Sequence, residues 1–466
     1  MQKKLLTILL LFCSLAISAV NHFGDGRLTV SPNGRFLQYA NGKPFFWLGD
    51  TGWLLPERLN RDEAAFYLRR CAQAGYNVVQ IQVVNGVPCF NIYGQMALSN
   101  GFDCSDADIK GVYGYWNHLD YIIDEAARQG IYIGMVCIWG GLVKAGLMNN
   151  SQAQQYGKFL AQRYKDKPNI IWIIGGDIEG SKQTEVWNTL ATTIKQYDKN
   201  HLMTFHPRGR TCSARWWNNA KWLDFNMFQS GHRRYGQKID NKPLTIPENT
   251  EEDNWQYVDS AWSYKPIRPV LDGEPSYEGI PKGLHDANEP LWTAREIRRY
   301  AYWSVFAGAC GHTYGHNNIM QFAKPGVPGA YFADGNKKPW YKAMDDPGFN
   351  QMQYLKNLML RLPFFERVPC QNVIVNNGTK YDRLAATRGK DYLLVYNYTG
   401  RDMTIQLDSI SGQEKRVWWM DAANGKLTFL GKYKSGTRTF RYHRAPGCST
   451  DGVLIAIDST KDYITD

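Results

Sequence analysis

The chain has 466 residues, a formal net charge of +11 and an aromatic content of 14 %, with 16 Trp and 28 Tyr. The basic residues are scattered and form no block, which argues against a nucleic-acid partner, and no internal segment is long and apolar enough to cross a bilayer. The length suits one large domain plus a smaller one.

Residues 1–19 read as an export signal. Lys3 and Lys4 give a charged start, Leu5–Leu15 is a short apolar run, and Ala16, Ser18 and Ala19 are the small residues expected before a signal-peptidase cut. The expectation is an exported protein, periplasmic or extracellular, without an integral membrane segment. Oxidising surroundings permit disulfides, and Cys89 with Cys104 and Cys370 with Cys448 are conceivable pairs. No CxxC or His-rich cluster suggests a metal, and no cofactor is expected.

A small β start follows, with Leu28–Val30 and Phe36–Tyr39 flanking Pro32-Asn33-Gly34, and Asn41-Gly42 as the next turn. Strand-like and helix-like segments then alternate. The first half predicts strands at Pro44–Gly49, Asn77–Val84, Ile131–Ile138 and Ile170–Gly175. Helices fall at Arg61–Ala74, Trp116–Gln129, Gln152–Arg163 and Thr184–Tyr197, and Gly75 and Gly130 stop the first two. The second half predicts strands at Leu202–Phe205, Phe225–Phe228, Pro269–Gly273 and Gly311–Tyr314. Its helices are a weak one at Ala214–Asn218, then Thr293–Ala307 and Asn350–Arg361. Eight alternations imply an α/β fold with a parallel sheet closed as a (β/α)8 TIM barrel. An open doubly wound sheet would carry a glycine-rich phosphate fingerprint after its first strand, and none is present.

Pro363 and Pro369 break this rhythm. Strands at Asp391–Tyr398, Arg416–Trp419 and Val453–Ile457, with turns at Asn377-Gly378, Asn424-Gly425 and Asp451-Gly452, predict an all-β sandwich. The division is a signal over 1–19, a barrel with an N-terminal β-hairpin over 20–363 and a sandwich over 364–466. No candidate catalytic residue lies in the last segment, so its loss is expected to impair stability more than chemistry.

A barrel of this kind carries its active site at the C-terminal ends of its strands. Asp177 follows the fourth strand and Glu274 the seventh, facing each other across the mouth. Glycosidic cleavage needs such a pair: one carboxylic acid protonates the leaving oxygen, and a second carboxylate attacks the anomeric carbon or activates water. Asp50 and Trp53 after strand one, Trp139 after strand three, His206 after strand five, Gln229 after strand six, and Tyr314 and His316 after strand eight are candidates for substrate binding. Trp216, Trp217 and Trp255 lie in inserts and are candidate sugar-stacking rings. Glu179, two residues past Asp177, is the rival acid. A G-x-S-x-G elbow, a Walker A loop and an H-E-x-x-H helix are all missing.

The run from Asn41 to Trp53 (NGKPFFWLGDTGW) resembles the opening of the apiosidase-like glycoside hydrolases, family 140. So do Gly75–Gln80 (GYNVVQ), Trp172–Asp177 (WIIGGD) and Asp272–Pro275 (DGEP). The C-terminal segment resembles the collagen-binding-like β-domain that accompanies these barrels. The resemblance implies a retaining mechanism on apiosyl linkages of the pectin rhamnogalacturonan II, with Asp177 as acid/base and Glu274 as nucleophile. The clan usually carries Asn-Glu at the acid position, where this chain has Gly176-Asp177. The expected partner is an oligo- or polysaccharide, with acidic pectin compatible with the positive charge. Other readings are a barrel glycosidase for a different glycan and a non-catalytic carbohydrate-binding or adhesion protein.

Overall fold

The computed structural model describes residues 23–98, 102, 111–239, 242–243, 251–284, 287–333, 337–442 and 449–464. The expected export signal, Cys104 and Cys448 lie outside the described residues.

Eight parallel strands form the barrel: β1 (Trp47–Thr51), β2 (Val78–Gln82), β3 (Tyr132–Val136), β4 (Ile170–Ile178), β5 (Met203–Pro207), β6 (Asn226–Gln229), β7 (Val270–Asp272) and β8 (Gly311–Tyr314). Hydrogen-bonded neighbours run β5-β4-β3-β2-β1-β8-β7-β6. The last seam, β5 to β6, is closed at its lower end. The Asp224 N–H donates to the Met203 carbonyl at 2.9 Å, the Met203 N–H to the Asp224 carboxylate at 2.7 Å, and the Thr204 hydroxyl to the Phe225 carbonyl at 2.7 Å.

The predicted first strand is divided. Pro44–Phe45 pairs back on Leu37–Tyr39 in the small N-terminal sheet, and the barrel strand starts at Trp47. Trp47 faces the barrel interior, where its indole N–H donates to the Thr313 hydroxyl at 3.0 Å and its ring meets Phe225. Strand alternation then turns Leu48 and Asp50 toward the helices.

The helix layer is α1 (Arg61–Gln73), α2 (Tyr115–Arg128), α3 (Asn150–Tyr164), α4 (Thr184–Tyr197), α5 (Ala214–Trp217), α6 (Trp255–Ser263), α7 (Ala294–Phe306) and α8 (Pro347–Arg361). Capping boxes fix three starts, at Asn60 with Glu63, Asn149 with Gln152 and Thr293 with Glu296. Helix α6 is an element that the sequence pattern did not indicate.

The C-terminal domain is a six-stranded antiparallel sheet. Its strand order is Val368–Pro369, Leu384–Arg388, Tyr392–Asn397, Gly452–Asp458, Glu414–Asp421, Leu427–Lys434. A two-stranded ribbon, Met403–Gln406 with Thr437–Phe440, covers one face. Both faces are buried. Leu393, Val395 and Leu454 pack with Met403, Ile405 and Phe440, while Tyr392, Leu394, Tyr396 and Ile455 join the barrel core. This is why Tyr392–Val395 and Val453–Ile457 read as unbroken apolar runs instead of alternating ones.

Polar contacts reinforce the junction. The Arg298 guanidinium on α7 donates to both oxygens of Asp451, at 2.9 and 2.6 Å, and the Tyr396 hydroxyl donates to the same carboxylate at 2.9 Å. The Tyr302 and Tyr396 rings stack 4.5 Å apart. Arg367 donates to the carbonyls of Val305 and Ala309, at and just past the end of α7.

Cys89 and Cys370, the described members of the two conceivable pairs, are buried free thiols. The Cys89 thiol donates to Glu57 at 3.6 Å, and that of Cys370 to Asn372 at 3.4 Å.

Candidate active site at the barrel mouth

The mouth is shaped by an irregularity between β4 and β5. Their ladder pairs Gly175 with His206, then slips so that Ile178 pairs with Pro207. Gly176 and Asp177 bulge out between these points. Gly175, Gly176 and Asp177 all have positive φ, at 88°, 115° and 49°. A Cβ on Gly175 would fall 2.6 Å from the His206 carbonyl, and one on Gly176 would fall 2.8 Å from the Trp139 ring. Glycine is therefore required at both, and Asp is among the few other residues that tolerate the left-handed region. A bulge of this kind re-aims a side chain, and the Asp177 side chain is exposed at the mouth.

His206 lies between Asp177 and Glu274. The Asp177 N–H donates to His206 Nδ1 at 3.2 Å, and the Gly209 N–H donates to Asp177 Oδ1 at 3.2 Å. An accepting Nδ1 puts the ring proton of a neutral His206 on Nε2. That nitrogen is 3.0 Å from Glu274 Oε2, at hydrogen-bonding distance though not in hydrogen-bonding line. His232, in the loop after β6, brings Nε2 to 3.5 Å from the other oxygen.

Glu274 is 7 % exposed. Burial alone would favour its neutral form, but the His206 and His232 rings outweigh that and hold its pKa at about 2. Asp177 moves the other way. Partial loss of hydration among the strand ends, and then the charge of Glu274, raise its carboxyl above the usual 3.8. Two carboxyls with pKa values pushed apart are how one site holds an acid and a base together.

Aromatic rings line this corner. Trp53 donates its indole N–H to the Tyr277 hydroxyl at 3.0 Å and packs edge-on to His206. Trp139 is half-buried beside both. The nearby charge of Glu274 adds to burial in raising the Tyr277 phenol. Gln229 sits under the loop after β5, and its carbonyl accepts the Arg210 N–H at 2.6 Å. Glu179 is diverted into an ion pair with Arg208 at 2.8 Å.

Three expected binding residues are not at the mouth. Asp50 is fully buried against α1, where it accepts from the Tyr67 hydroxyl at 2.6 Å, and burial lifts its carboxyl to about 7. Tyr314 donates to Glu278 at 2.6 Å. His316 contacts Asp346 at 3.0 Å and accepts the Asn318 N–H through Nδ1. The reason is parity, since Asp50 on β1 and Tyr314 on β8 fall on the outward face of the sheet. Two of the insert tryptophans are also occupied, with Trp217 packed on Phe205 and Trp222 and Trp255 covered by Arg383. Trp216 is half-buried beside Gly180, past the end of β4.

Sequence reasoning missed His232 and Tyr277. His232 lies three residues past β6, and its place after a barrel strand was the available signal. Tyr277 had no signal of its own among 28 tyrosines.

The loop bearing His232 is braced from beyond the barrel. Glu252 accepts the Tyr235 N–H at 2.8 Å and the hydroxyl of Tyr381, from the C-terminal domain, at 2.9 Å on the same oxygen. Its other oxygen pairs with Arg299 of α7, and both charged groups are fully buried.

Residues 31–366 match the family model described as an apiosidase-like catalytic domain, and residues 368–457 match one described as a collagen-binding domain of a collagenase. A solved structure described as a glycoside hydrolase is 61 % identical over 95 % of this chain and 99 % of its own, with a TM-score of 0.91. The crystal structure of a glycoside hydrolase family 5 protein from Bacteroides vulgatus ATCC 8482 is 59 % identical over 96 % of this chain and 97 % of its own, with a TM-score of 0.92. No curated protein sequence matches. With most of its length under one family model, and the barrel mouth within that match, the chain belongs to the apiosidase-like glycoside hydrolases and is a glycosidase.

Proposed function

We propose that this glycosidase acts, after export, on apiosyl linkages of the pectin rhamnogalacturonan II by a retaining mechanism, with Glu274 as nucleophile and Asp177 as acid/base. The observation that carries the assignment is the opposite displacement of the two carboxyls on either side of His206. Glu274, held ionised, attacks the anomeric carbon. Asp177, whose proton is retained to higher pH than usual, donates it to the leaving oxygen and then accepts one from the attacking water. His206 and His232 fix the Glu274 oxygens, and the half-buried Trp139 offers a ring face to the sugar. The family description and the Asn41–Trp53 motif support the sugar, and the charged, apolar and small regions of residues 1–19 support export.

The test is digestion of rhamnogalacturonan II, other pectins and xylan, with released sugars profiled and the anomeric configuration of the first product followed by NMR. Release of apiose with retained configuration is expected. Cleavage of xylan alone would reassign the substrate, and an inverted product would reassign Glu274 as a base.

A further inference from the structure

We infer that Gln80, on β2, is a positioning residue that holds the peptide carrying Glu274 from across the barrel interior, an inference that rests on the reading of Glu274 as nucleophile given above. Gln80 is fully buried, and its side-chain amide donates to the Gly273 carbonyl at 2.8 Å. That carbonyl belongs to the peptide group joining Gly273 to Glu274. The contact runs through the interior, since β1 and β8 stand between β2 and β7 in the ring of strands.

The bond completes a clamp. The Gly273 N–H donates to the Phe228 carbonyl at 2.8 Å, and the Gly231 N–H donates to the Glu274 carbonyl at 3.0 Å. Both of these anchors come from β6 and the loop that follows it. On its other side β7 has less support, because its ladder meets β6 at three positions and β8 at one, Asp272 with His312. Gln80 adds a restraint that does not come from β6. A peptide group is planar, so fixing its oxygen fixes its nitrogen as well. The Glu274 Cα is then held through both of the peptides that meet at it, one by Gln80 and the other by Gly231. From this fixed point the carboxylate reaches His206 and His232.

Two further observations mark Gln80 as kept for this bond rather than for packing. Its Oε1 is buried and has no hydrogen-bond partner among the described residues. An apolar side chain of the same size would avoid stranding an acceptor in the interior. The neighbouring strand also leaves a lane for the amide. Gly134 pairs with Gln80 between β3 and β2, and a Cβ there would lie 3.3 Å from Gln80 Cγ and 3.0 Å from Ile173 Cδ1. A nucleophile must meet the anomeric carbon at the right distance and angle, and an error of about 1 Å costs on the order of 10²-fold in rate. The restraint acts on that geometry and not on substrate affinity.

The test replaces Gln80 with Met, which has nearly the same length and volume but no N–H donor. Kinetics are read on rhamnogalacturonan II, or on whichever pectin or xylan of the digestion above is cleaved. Gln80→Met is expected to lower kcat and kcat/KM together by roughly 10²-fold, with KM and melting temperature unchanged. Gln80→Glu provides the rescue. Its carboxyl donates to the Gly273 carbonyl only when protonated, so at the acid end of the pH range it should recover most of the loss. Crystal structures of the wild type and Gln80→Met give a readout that needs no substrate, with the Glu274 carboxylate expected to move by about 1 Å. Wild-type kcat in Gln80→Met, a Glu274 that has not moved, or a Gln80→Glu variant as slow as Gln80→Met at every pH would each overturn the positioning role. Glu274→Gln separates this inference from the reading beneath it. If that variant is inactive while Gln80→Met turns over normally, only the positioning role fails. If Glu274→Gln stays active, the nucleophile lies elsewhere and the bond to Gly273 serves the fold alone.

Discussion

Two clusters at the strand ends of this barrel use the same kinds of side chain and reach opposite states. Around β4, β5 and β7, His206 accepts the Asp177 backbone N–H and lies against the Glu274 carboxyl, and the Asp177 side chain opens to the mouth. Around β8 and β1, Asp50, Glu278 and Asp346 are tied to Tyr67, Tyr314 and His316 behind the strands. In the second cluster each acid has a close donor behind the strands. The difference comes from strand parity and from the bulge at Gly176-Asp177. Position at a strand end is necessary for a catalytic role in such a barrel, but the face of the strand decides whether the residue is used.

The largest effect expected from breaking this comparison is at Glu274. Glu274→Gln keeps the shape of the side chain and removes the nucleophile, so turnover should fall by several orders of magnitude with little change in melting temperature. Retention of activity within about tenfold would move the nucleophile elsewhere. Next comes Asp177→Asn, expected to lose ~10²–10⁴ on a natural glycan. It should lose far less in the first step on a nitrophenyl glycoside, with azide restoring part of the turnover. Glu179→Gln should show neither behaviour, and if it shows both while Asp177→Asn does not, the acid is Glu179. In the wild type, activity should decline as pH rises through the elevated Asp177 value, and a pH–rate profile of kcat/KM reads that limb directly.

A smaller effect sharpens the role of the bulge. Gly176→Ala puts a methyl 2.8 Å from Trp139 at a φ of 115°. It should lower kcat by roughly 10²-fold through misplacement of the Asp177 carboxyl, a size typical of an ångström-scale error at a reacting group. Steady-state kinetics with an unchanged circular dichroism spectrum would check this, and wild-type kcat would show that the bulge does not set the geometry.

The smallest effect on turnover belongs to the closed cluster. Asp50→Asn should leave kcat within a few-fold of wild type and change the pH dependence of stability instead. Burial raises Asp50 and Asp272 from 3.8 to about 7 in the folded state, so the fold binds their protons more tightly than the unfolded chain does. Their stabilising contribution is full below about pH 4 and is lost as pH rises toward 7 and beyond. Glu274 acts in the opposite sense, but only below its ordinary 4.5. Buried His118 and His312, lowered to about 4 and about 3, act in the opposite sense over much of the same window. The expectation is therefore differential: between pH 4 and 8 the melting temperature should fall less, or rise more, in Asp50→Asn than in the wild type. An unchanged slope in the variant would mean that Asp50 is ionised in the fold.

Much of this was legible in the sequence, and the parts that were not have physical causes. The eight strands were readable because each is buried on both faces and bounded by polar turns. The first was misplaced at its start because the Asn41-Gly42 turn draws Pro44–Phe45 into a separate sheet. Helix α6 was missed because it is only nine residues long, although Gln256, Asp259, Ser260 and Ser263 recur on its exposed face. Asp177 and Glu274 stood out as candidates because glycine-flanked carboxylates at strand ends leave a local trace. The outward turn of Asp50 and Tyr314 depends on one residue of register, which composition does not encode. Tyr277 became visible only when loops distant in sequence were brought together, whereas His232 could have been read from its place just past a barrel strand.

The brace from Tyr381 through Glu252 to the Tyr235 backbone changes how the two domains should be regarded. Shape at the mouth is partly set by a residue that no barrel strand or helix supplies. The second domain is then less a tether or a passenger than a jig against which one wall of the cleft is held. Grafting this barrel onto a different partner would alter the fit of the cleft even with every barrel residue conserved. Drift in either part constrains the other, and the two are best treated as a single heritable unit.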